Sequence, residues 1–427
     1  MTPANPTPRM AGDGRREANT AAVLKTVLDH GPVARSGIAR LSGLSPAAVS
    51  RQCTDLTRLG LVREVPGRAE SGAVGRPQVP VDLHTADGGP VAAGVHIGVP
   101  ASTFGIVDLR GTVLAKEVFP HEGIAAEHLQ NQVLDALREF VAAAGAGRPL
   151  LGVGAAMGGW IEPREGTVVR HDLLGWRGRP LGAALAARLG LPAAVDNHAR
   201  AIAQSEILFG RPAARRSLVH LFVGNVVDAA VGIAGVVHRG PRAGAGDVAH
   251  LPVPDSTVAC DCGRVGCLGA TASDTAIART AVRRGILPEP DATLLVEAAA
   301  AGDARADRLL RERARAVGRA TALLLDVLNP DLVVITEMSS GRDATYLEEI
   351  RGAAVDLSHV CDDPERIVSP HAGREVLPVA AGTVVLNPLF RRPLRALGER
   401  TTYEAHARAT GVHTPATTDG ASAMDAG

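Results

Sequence analysis

Six short apolar runs punctuate the chain from residue 90 onward and restrict it to a layered α/β architecture. They are "PVAAGVHIGV" (90–99), "STFGIVDL" (102–109), "LLGVGAAM" (150–157), "SLVHLFVG" (217–224), "AAVGIAGVV" (229–237) and "DLVVIT" (331–336). Stretches of helical period lie between them. In residues 126–143, Leu129, Val133, Leu137, Phe140 and Val141 fall on one helical face. A longer periodic run from residue 303 reaches Leu328 and stops before Pro330. Strands that alternate with helices bury their apolar faces as sheets covered by helices.

The first 86 residues have another character. They carry eleven Lys/Arg against seven Asp/Glu, a balance of +4, which leaves −4 for the rest of a chain of zero formal charge. A basic module ahead of a slightly acidic body points to nucleic acid at that end. "PGRAESGAVGRPQVP" (66–80) reads as loop, and the α/β pattern starts after it. The expected organisation is disorder over 1–15, a DNA-binding domain over 16–86, an α/β body over 87–400 and a disordered tail over 401–427.

No run approaches membrane-spanning length, and the N-terminus has no apolar stretch suited to a leader. The expectation is a cytoplasmic protein with no membrane partner. Thiols stay reduced there, so three cysteines within eight positions, Cys260, Cys262 and Cys267, suggest a metal site over disulfides.

Residues 19–83 read as one module. A helix begins at the good cap Asn19 and ends at Gly31; a short helix, a turn at Ser42–Gly43–Leu44 and a second helix follow. Ser45 is an N-cap and Pro46 takes the first helical position. Val49, Cys53, Leu56 and Leu59 face inward, leaving Ala47, Ala48, Ser50, Arg51 and Gln52 for solvent. Small residues beside Ser-Arg suit a major groove, where Arg can bond guanine or phosphate. Ser45, Ala47, Ala48, Ser50, Arg51 and Gln52 are therefore the expected DNA contacts. Residues 60–83 suggest a two-stranded wing, with Arg68 and Arg76 reaching backbone or minor groove.

The body resembles the ROK family of repressors, open-reading-frame proteins and sugar kinases. The resemblance is carried by "GVGAAMGGWIEPREGTVVRHDLLGWRGRPLGAALAARLGLPAAVDNHARA" (152–201) and by the cysteine cluster, over residues of roughly 19–390. With "GLSPAAVSRQCTDLTRLGLV" ahead of it, the chain looks like the regulator branch. The resemblance implies an α/β chain with an N-terminal winged helix-turn-helix followed by a two-lobed actin-like (ribonuclease H-like) ATPase fold. It also implies a structural zinc site from His250, Cys260, Cys262 and Cys267, one imidazole and three thiolates that close a tetrahedron. Gly263 and Gly266 permit the tight turn between the thiols.

Kinase chemistry is where the chain departs from that family. Where the family's kinases carry Asp-x-Gly-x-Thr, it has His96 for the Asp and Pro100 or Ala101 for the hydroxyl. The base position is His198, beside a retained Asn197. The second phosphate loop holds Val226, Val227 and Asp228 in place of glycines, and the Gly-Gly near the nucleotide is Thr336–Glu337. The sugar-contacting glutamates become Asp247 and Gly269. Phosphoryl transfer needs positioned phosphate loops and a base together, so the expectation is no enzymatic activity.

The resulting expectation is a sequence-specific DNA-binding regulator, a repressor, with a catalytically dead sugar-kinase-like body. That body serves dimerisation and senses a sugar or other small effector through Asn197, His198, Asp247 and His250. Expected partners are double-stranded operator DNA, the effector, and further copies in a homodimer or homotetramer; the expected cofactor is structural Zn2+. The alternatives are an ATP-dependent sugar kinase and a ligand-independent interaction protein.

Overall fold

The computed structural model describes residues 8–66, 79–254 and 256–410. Three helices open it: α1 (Pro8–His30), α2 (Arg35–Ser42) and α3 (Pro46–Arg58). Gly43 closes α2 in the left-handed region (φ 69°), and the Ser45 hydroxyl accepts from Ala48 N at 3.3 Å to start α3. The strands β1 (Val62–Glu64) and β2 (Val81–Leu83) then pair antiparallel. Arg68 and Arg76 lie outside the described residues.

The first lobe is built from β3 (Val91–Ile97), β4 (Ala101–Asp108), β5 (Val113–Pro120), α4 (Ala126–Ala144), β6 (Leu150–Met157), the small sheet β7 (Trp160–Glu162), β8 (Thr167–His171), β9 (Trp176–Arg179), then α5 (Leu181–Leu189) and β10 (Ala193–Asn197). Its five-stranded sheet runs β10-β6-β3-β4-β5, parallel at β10-β6-β3 and antiparallel beyond. The helix α6 (His198–Phe209) leads to the second lobe. This lobe comprises β11 (Ser217–Val223), β12 (Val227–Ile233), β13 (Val236–Val237), α7 (Leu268–Ala272), α8 (Asp274–Arg283), α9 (Ala292–Ala300), α10 (Ala304–Leu328), β14 (Leu332–Glu337), α11 (Thr345–Leu357) and β15 (Ile367–Val368). Its sheet runs β13-β12-β11-β14-β15. The helix α12 (Val376–Arg391) returns to the first sheet, and α13 (Pro393–Thr410) follows it.

All six apolar runs are strands here, and the two helices expected between them are α4 and α10. The five apolar positions named on α4 are buried in the first-lobe core. Asn329, left-handed at φ 39°, ends α10 one residue before the proline.

Each lobe has its own core, yet α1–α3 do not. Val23, Val27, Ile38, Val49 and Leu56 share one cluster with Ala92, Val107, Leu109, Leu386 and Phe390 of the body. Polar ties follow the same seam. Arg110 donates to Leu28 O at 2.9 Å and pairs with Asp82, and Arg215 forks onto Asp29 through bonds of 2.9 and 2.8 Å.

The expectation of disorder over 1–15 and 401–427 is corrected where these segments are described, because α1 starts at Pro8 and α13 runs to Thr410. The reason is mutual capping. Glu17 of α1 accepts from Leu394 N (2.9 Å) and Arg395 N (3.2 Å), two of the donors a helix start leaves without partners. Tyr403 also donates to Ala186 O at 2.7 Å. Glu17→Ala should cost about 1 kcal/mol through the lost cap, read as a lower urea midpoint at unchanged m-value. An unaltered midpoint would show that α13 does not depend on this contact.

Candidate functional site

On α3 the apolar face turns inward and a small, polar face stays free. Val49, Cys53 and Leu56 are buried, while Ala47, Ser50, Arg51 and Thr54 are exposed and Ser45 caps the exposed end. Ala48 and Gln52 differ from expectation. Ala48 is buried beside Val49, and Gln52 is buried because its Oε1 accepts from Thr20 Oγ1 of α1 at 2.6 Å. Residues 48, 49, 52, 53 and 56 form one helical stripe, so Gln52 belongs to the packed face as the polar partner of a buried threonine. Thr54, not anticipated, belongs to the free face.

The cysteine cluster is assembled as expected, from one hairpin and a histidine ten residues ahead of it. His250, Cys260, Cys262 and Cys267 bring one donor atom each to within 4.8 Å of one another. His250 Nδ1 lies 3.7 Å from Cys260 Sγ, and Cys262 Sγ lies 3.6 Å from Cys267 Sγ. Sulfurs bound at about 2.3 Å around a tetrahedral ion sit about 3.8 Å apart, so the set fits a bound metal. Gly263 (φ 84°) and Gly266 (φ 75°) make the turns between the ligands, and the isolated bridge Ala259–Val265 fixes the hairpin. Arg264 Nε donates to Cys262 Sγ at 3.4 Å from outside the set.

Beside this cluster the two lobes enclose a cleft of about 720 Å³. Asp247 and His250 line it, and Asn197 reaches its floor. His198 does not line it. It is the middle of a buried chain instead. His96 Nε2 lies 3.3 Å from His198 Nδ1 with the rings parallel to within 2°, and His198 Nε2 donates to Asp228 Oδ2 at 3.1 Å. His198 is thus bonded at both ring nitrogens.

In the sequence Asp228 reads only as a replacement for a phosphate-loop glycine. It is the second lobe's anchor on the first: the same Oδ2 also accepts from Asn197 Nδ2 (3.0 Å) and Gly159 N (3.3 Å). Burial pushes its carboxyl up, but the hydrogen bonds and charge of His198 and the Asn197 and Gly159 donors prevail and hold it below the usual range. Asn197 is spent in the same way, since its Oδ1 caps α6 by accepting from Ala199 N and Arg200 N. The expected effector set therefore divides. Asp247 has no partner among the described residues and His250 is held in the metal set, while Asn197 and His198 are held in internal bonds.

The far end of the body, where the resemblance implies a nucleotide, is filled by engaged side chains. Thr336 Oγ1 lies 2.9 Å from His220 Nε2. Buried Glu337 accepts from Ser339 N at 2.9 Å and sits 3.3 Å from Arg313, which also pairs with Asp274 at 2.6 Å. At the old phosphate loop, Val226 packs so closely on Gly158 that a Cβ there would come within 2.4 Å of it.

Burial holds three imidazoles neutral around this region, with the neighbouring His198 adding to it: His96 and His220 at about 3, His171 at about 4. Unfolded imidazoles titrate near about 6.5, so below that pH the unfolded chain binds more protons than the folded one. Stability is complete above about pH 6.5 and falls on acidification, by up to about 1.4 kcal/mol per pH unit for each group. Melting in zinc-supplemented buffer from about pH 7.5 to 5 should show a Tm that is level down to about pH 6.5 and falls below it; a profile flat throughout would contradict the burial of these rings.

Comparison with known proteins agrees with this architecture. A family model described as the ROK family matches residues 92–367. The chain belongs to the ROK family. Among its ROK relatives, a transcriptional regulator of Mycobacterium tuberculosis is 35% identical over 396 residues, covering 89% of this chain and 88% of that one. The xylose repressor of Caldicellulosiruptor bescii is 28% identical over 79% of this chain and 87% of its own length. The N-acetylglucosamine repressor of Escherichia coli is 26% identical over 78% and 84%. In fold, the chain matches the crystal structure of a ROK family transcriptional regulator homologous to the E. coli MLC protein, with a TM-score of 0.71 at 22% identity over 90% of this chain and all of that one. A ROK family glucokinase from Streptomyces griseus, in complex with glucose and AMPPNP, matches at a TM-score of 0.60 and 25% identity, over 68% of this chain and 98% of its own. The kinase-like body is thus shared with enzymes, while the near full-length relatives are regulators.

Proposed function

We propose that this ROK protein is a DNA-binding transcriptional repressor that reads its operator with α3 and senses a small effector in the interlobe cleft. One observation carries the reading: the free face of α3 offers Ala47, Ser50, Arg51 and Thr54 on a helix whose opposite face is packed into the shared core. Small side chains let the helix approach the groove, and Arg51 supplies the bidentate donor. The antiparallel pair β1–β2 is the base of the wing, and Arg68 and Arg76, between the two strands in sequence, are the residues that would extend the contact to phosphate or minor groove.

The body acts without catalysis. His198 at the base position is bonded at both nitrogens, and Glu337 and Arg313 occupy the nucleotide end. Two such modules, brought together by two chains of a homodimer or homotetramer, meet half-sites about one helical turn apart. The His250, Cys260, Cys262 and Cys267 set holds structural Zn2+, since four protein ligands leave no position for water. The ion fastens the loop that carries Asp247 and His250 against the cleft. Among the described residues no helix is long and apolar enough to cross a membrane, which agrees with a cytoplasmic repressor.

Selection of genomic fragments by the purified full-length protein, at near-physiological salt, tests the reading. A recurrent paired half-site is the expected result. Fragment recovery without any shared sequence, together with ATP-dependent phosphorylation of a hexose, would favour the kinase instead.

A further inference from the structure

The chain fastens its two lobes together with its own side chains, at two neighbouring points. One is Asp228 of β12, whose Oδ2 accepts from His198, Asn197 and Gly159 on the first-lobe side. The other is a strap, residues 239–246, which leaves β13 of the second lobe and lies against the first. Arg239 pairs with buried Asp196 of β10 at 2.9 Å. Trp160 of β7 donates through Nε1 to Arg242 O at 2.8 Å, and the Arg242 guanidinium covers its ring at 4.7 Å. Buried Arg200 nails the middle of the strap, donating to Ala243 O at 2.9 Å and to Ile161 O of β7 at 3.0 Å. The two points are coupled, because Ala229 N, next to Asp228, donates to Gly246 O at 2.8 Å.

The strap is also strained. Arg242 and Ala243 are both left-handed, at φ 51° and 53°. Two consecutive non-glycine residues keep that conformation only where their surroundings impose it. Freed from Trp160 and Arg200, they relax to other backbone regions and the strap changes course. Clasped and free are therefore two discrete arrangements.

We propose that Asp228 and the 239–246 strap form a latch that holds the lobes closed, and that its release is the switch by which the body alters operator binding. The latch stands on the contacts alone; the switch rests on the repressor reading. Reader and first lobe share one core, so release changes where the second lobe stands relative to the reader. A signal then acts by favouring the free arrangement over the clasped one, and only by the difference in its affinity for the two.

Hydrogen exchange and acrylamide quenching of the zinc-loaded full-length protein test the latch. The chain has two tryptophans and Trp176 is buried, so quenching reports Trp160 at the strap. Asp228→Asn keeps an acceptor oxygen but loses the charge that holds His198, whereas Arg239→Gln, at an exposed side chain, acts on the strap alone. In each variant, exchange across 239–247 should rise about ten-fold or more and quenching of Trp160 should roughly double, with exchange in both lobe cores unchanged. Arg177→Gln breaks an ion pair inside the first lobe and should change neither. Wild-type exchange and quenching in both latch variants would overturn the latch. Affinity of those variants for a fragment selected by the wild type should shift by about five-fold or more. Unchanged affinity in variants whose strap exchanges freely would overturn the switch. A wild type that selects no fragment rejects the repressor reading and the switch with it, whereas exchange and quenching alone decide the latch.

Discussion

Arg51→Ala should weaken operator binding while the protein stays folded. Arg51 projects from the exposed face of α3 and makes no bond to the rest of the described chain, so its removal leaves no buried group unpaired. A bidentate contact to a base is worth about 1–3 kcal/mol of discrimination, or about five- to 150-fold in affinity. Affinity for a selected fragment should drop by that factor, whereas affinity for random DNA should drop much less. Gln52→Ala separates this from general damage. Gln52 faces Thr20 in the interior, so its variant should lower the melting temperature and leave the specificity ratio alone. Equal loss on specific and random DNA for Arg51→Ala would reduce Arg51 to a phosphate contact, and an unchanged ratio would remove α3 from recognition.

Cys260→Ser gives the largest loss of stability. Structural zinc contributes apparent binding free energies of about 10–16 kcal/mol in small zinc-dependent peptides. In this larger body a bound ion would act on one loop, so the effect should be local before it is global. Metal analysis of the wild type should return about one zinc per chain, and Cys260→Ser should return almost none. The loop from residue 250 to 267 should then become the preferred site of limited proteolysis, and effector binding at Asp247 should vanish with it. DNA binding by α3 should persist, because the module's core lies elsewhere. A variant that binds no metal yet resists proteolysis would show that the hairpin is held by its backbone bonds alone.

Much of the scaffold was legible in the sequence because period and punctuation express it locally. The apolar runs became strands, Gly43 and Ser45 framed the turn before α3, and Gly263 and Gly266 shaped the metal loop. What escaped depended on partners distant in sequence. Gln52 looked like a solvent residue until Thr20, 32 positions earlier, came to meet it. Asp228 read as a defect in a phosphate loop, since nothing nearby in sequence announces Gly159, Asn197 and His198 as its donors. The helix α12 and the small sheet β7–β9 were also missed. α12 is apolar nearly all round because it is covered on every side, so it shows no amphipathic stripe. The strands of the small sheet are only three to five residues long.

The seam between α1 and the body has a practical meaning for anyone who would treat the DNA reader as a cassette. Residue 86 is a boundary of composition and not of packing. A cut there would strip cover from Ala92, Val107, Leu109 and Phe390, sever the Arg215–Asp29 fork and remove the cap on α13. Reader and first lobe therefore move as one piece, like a key with its handle. On the proposed reading, an effector in the cleft would change where one whole key points relative to a neighbouring copy, which makes the distance between two α3 helices the quantity to follow.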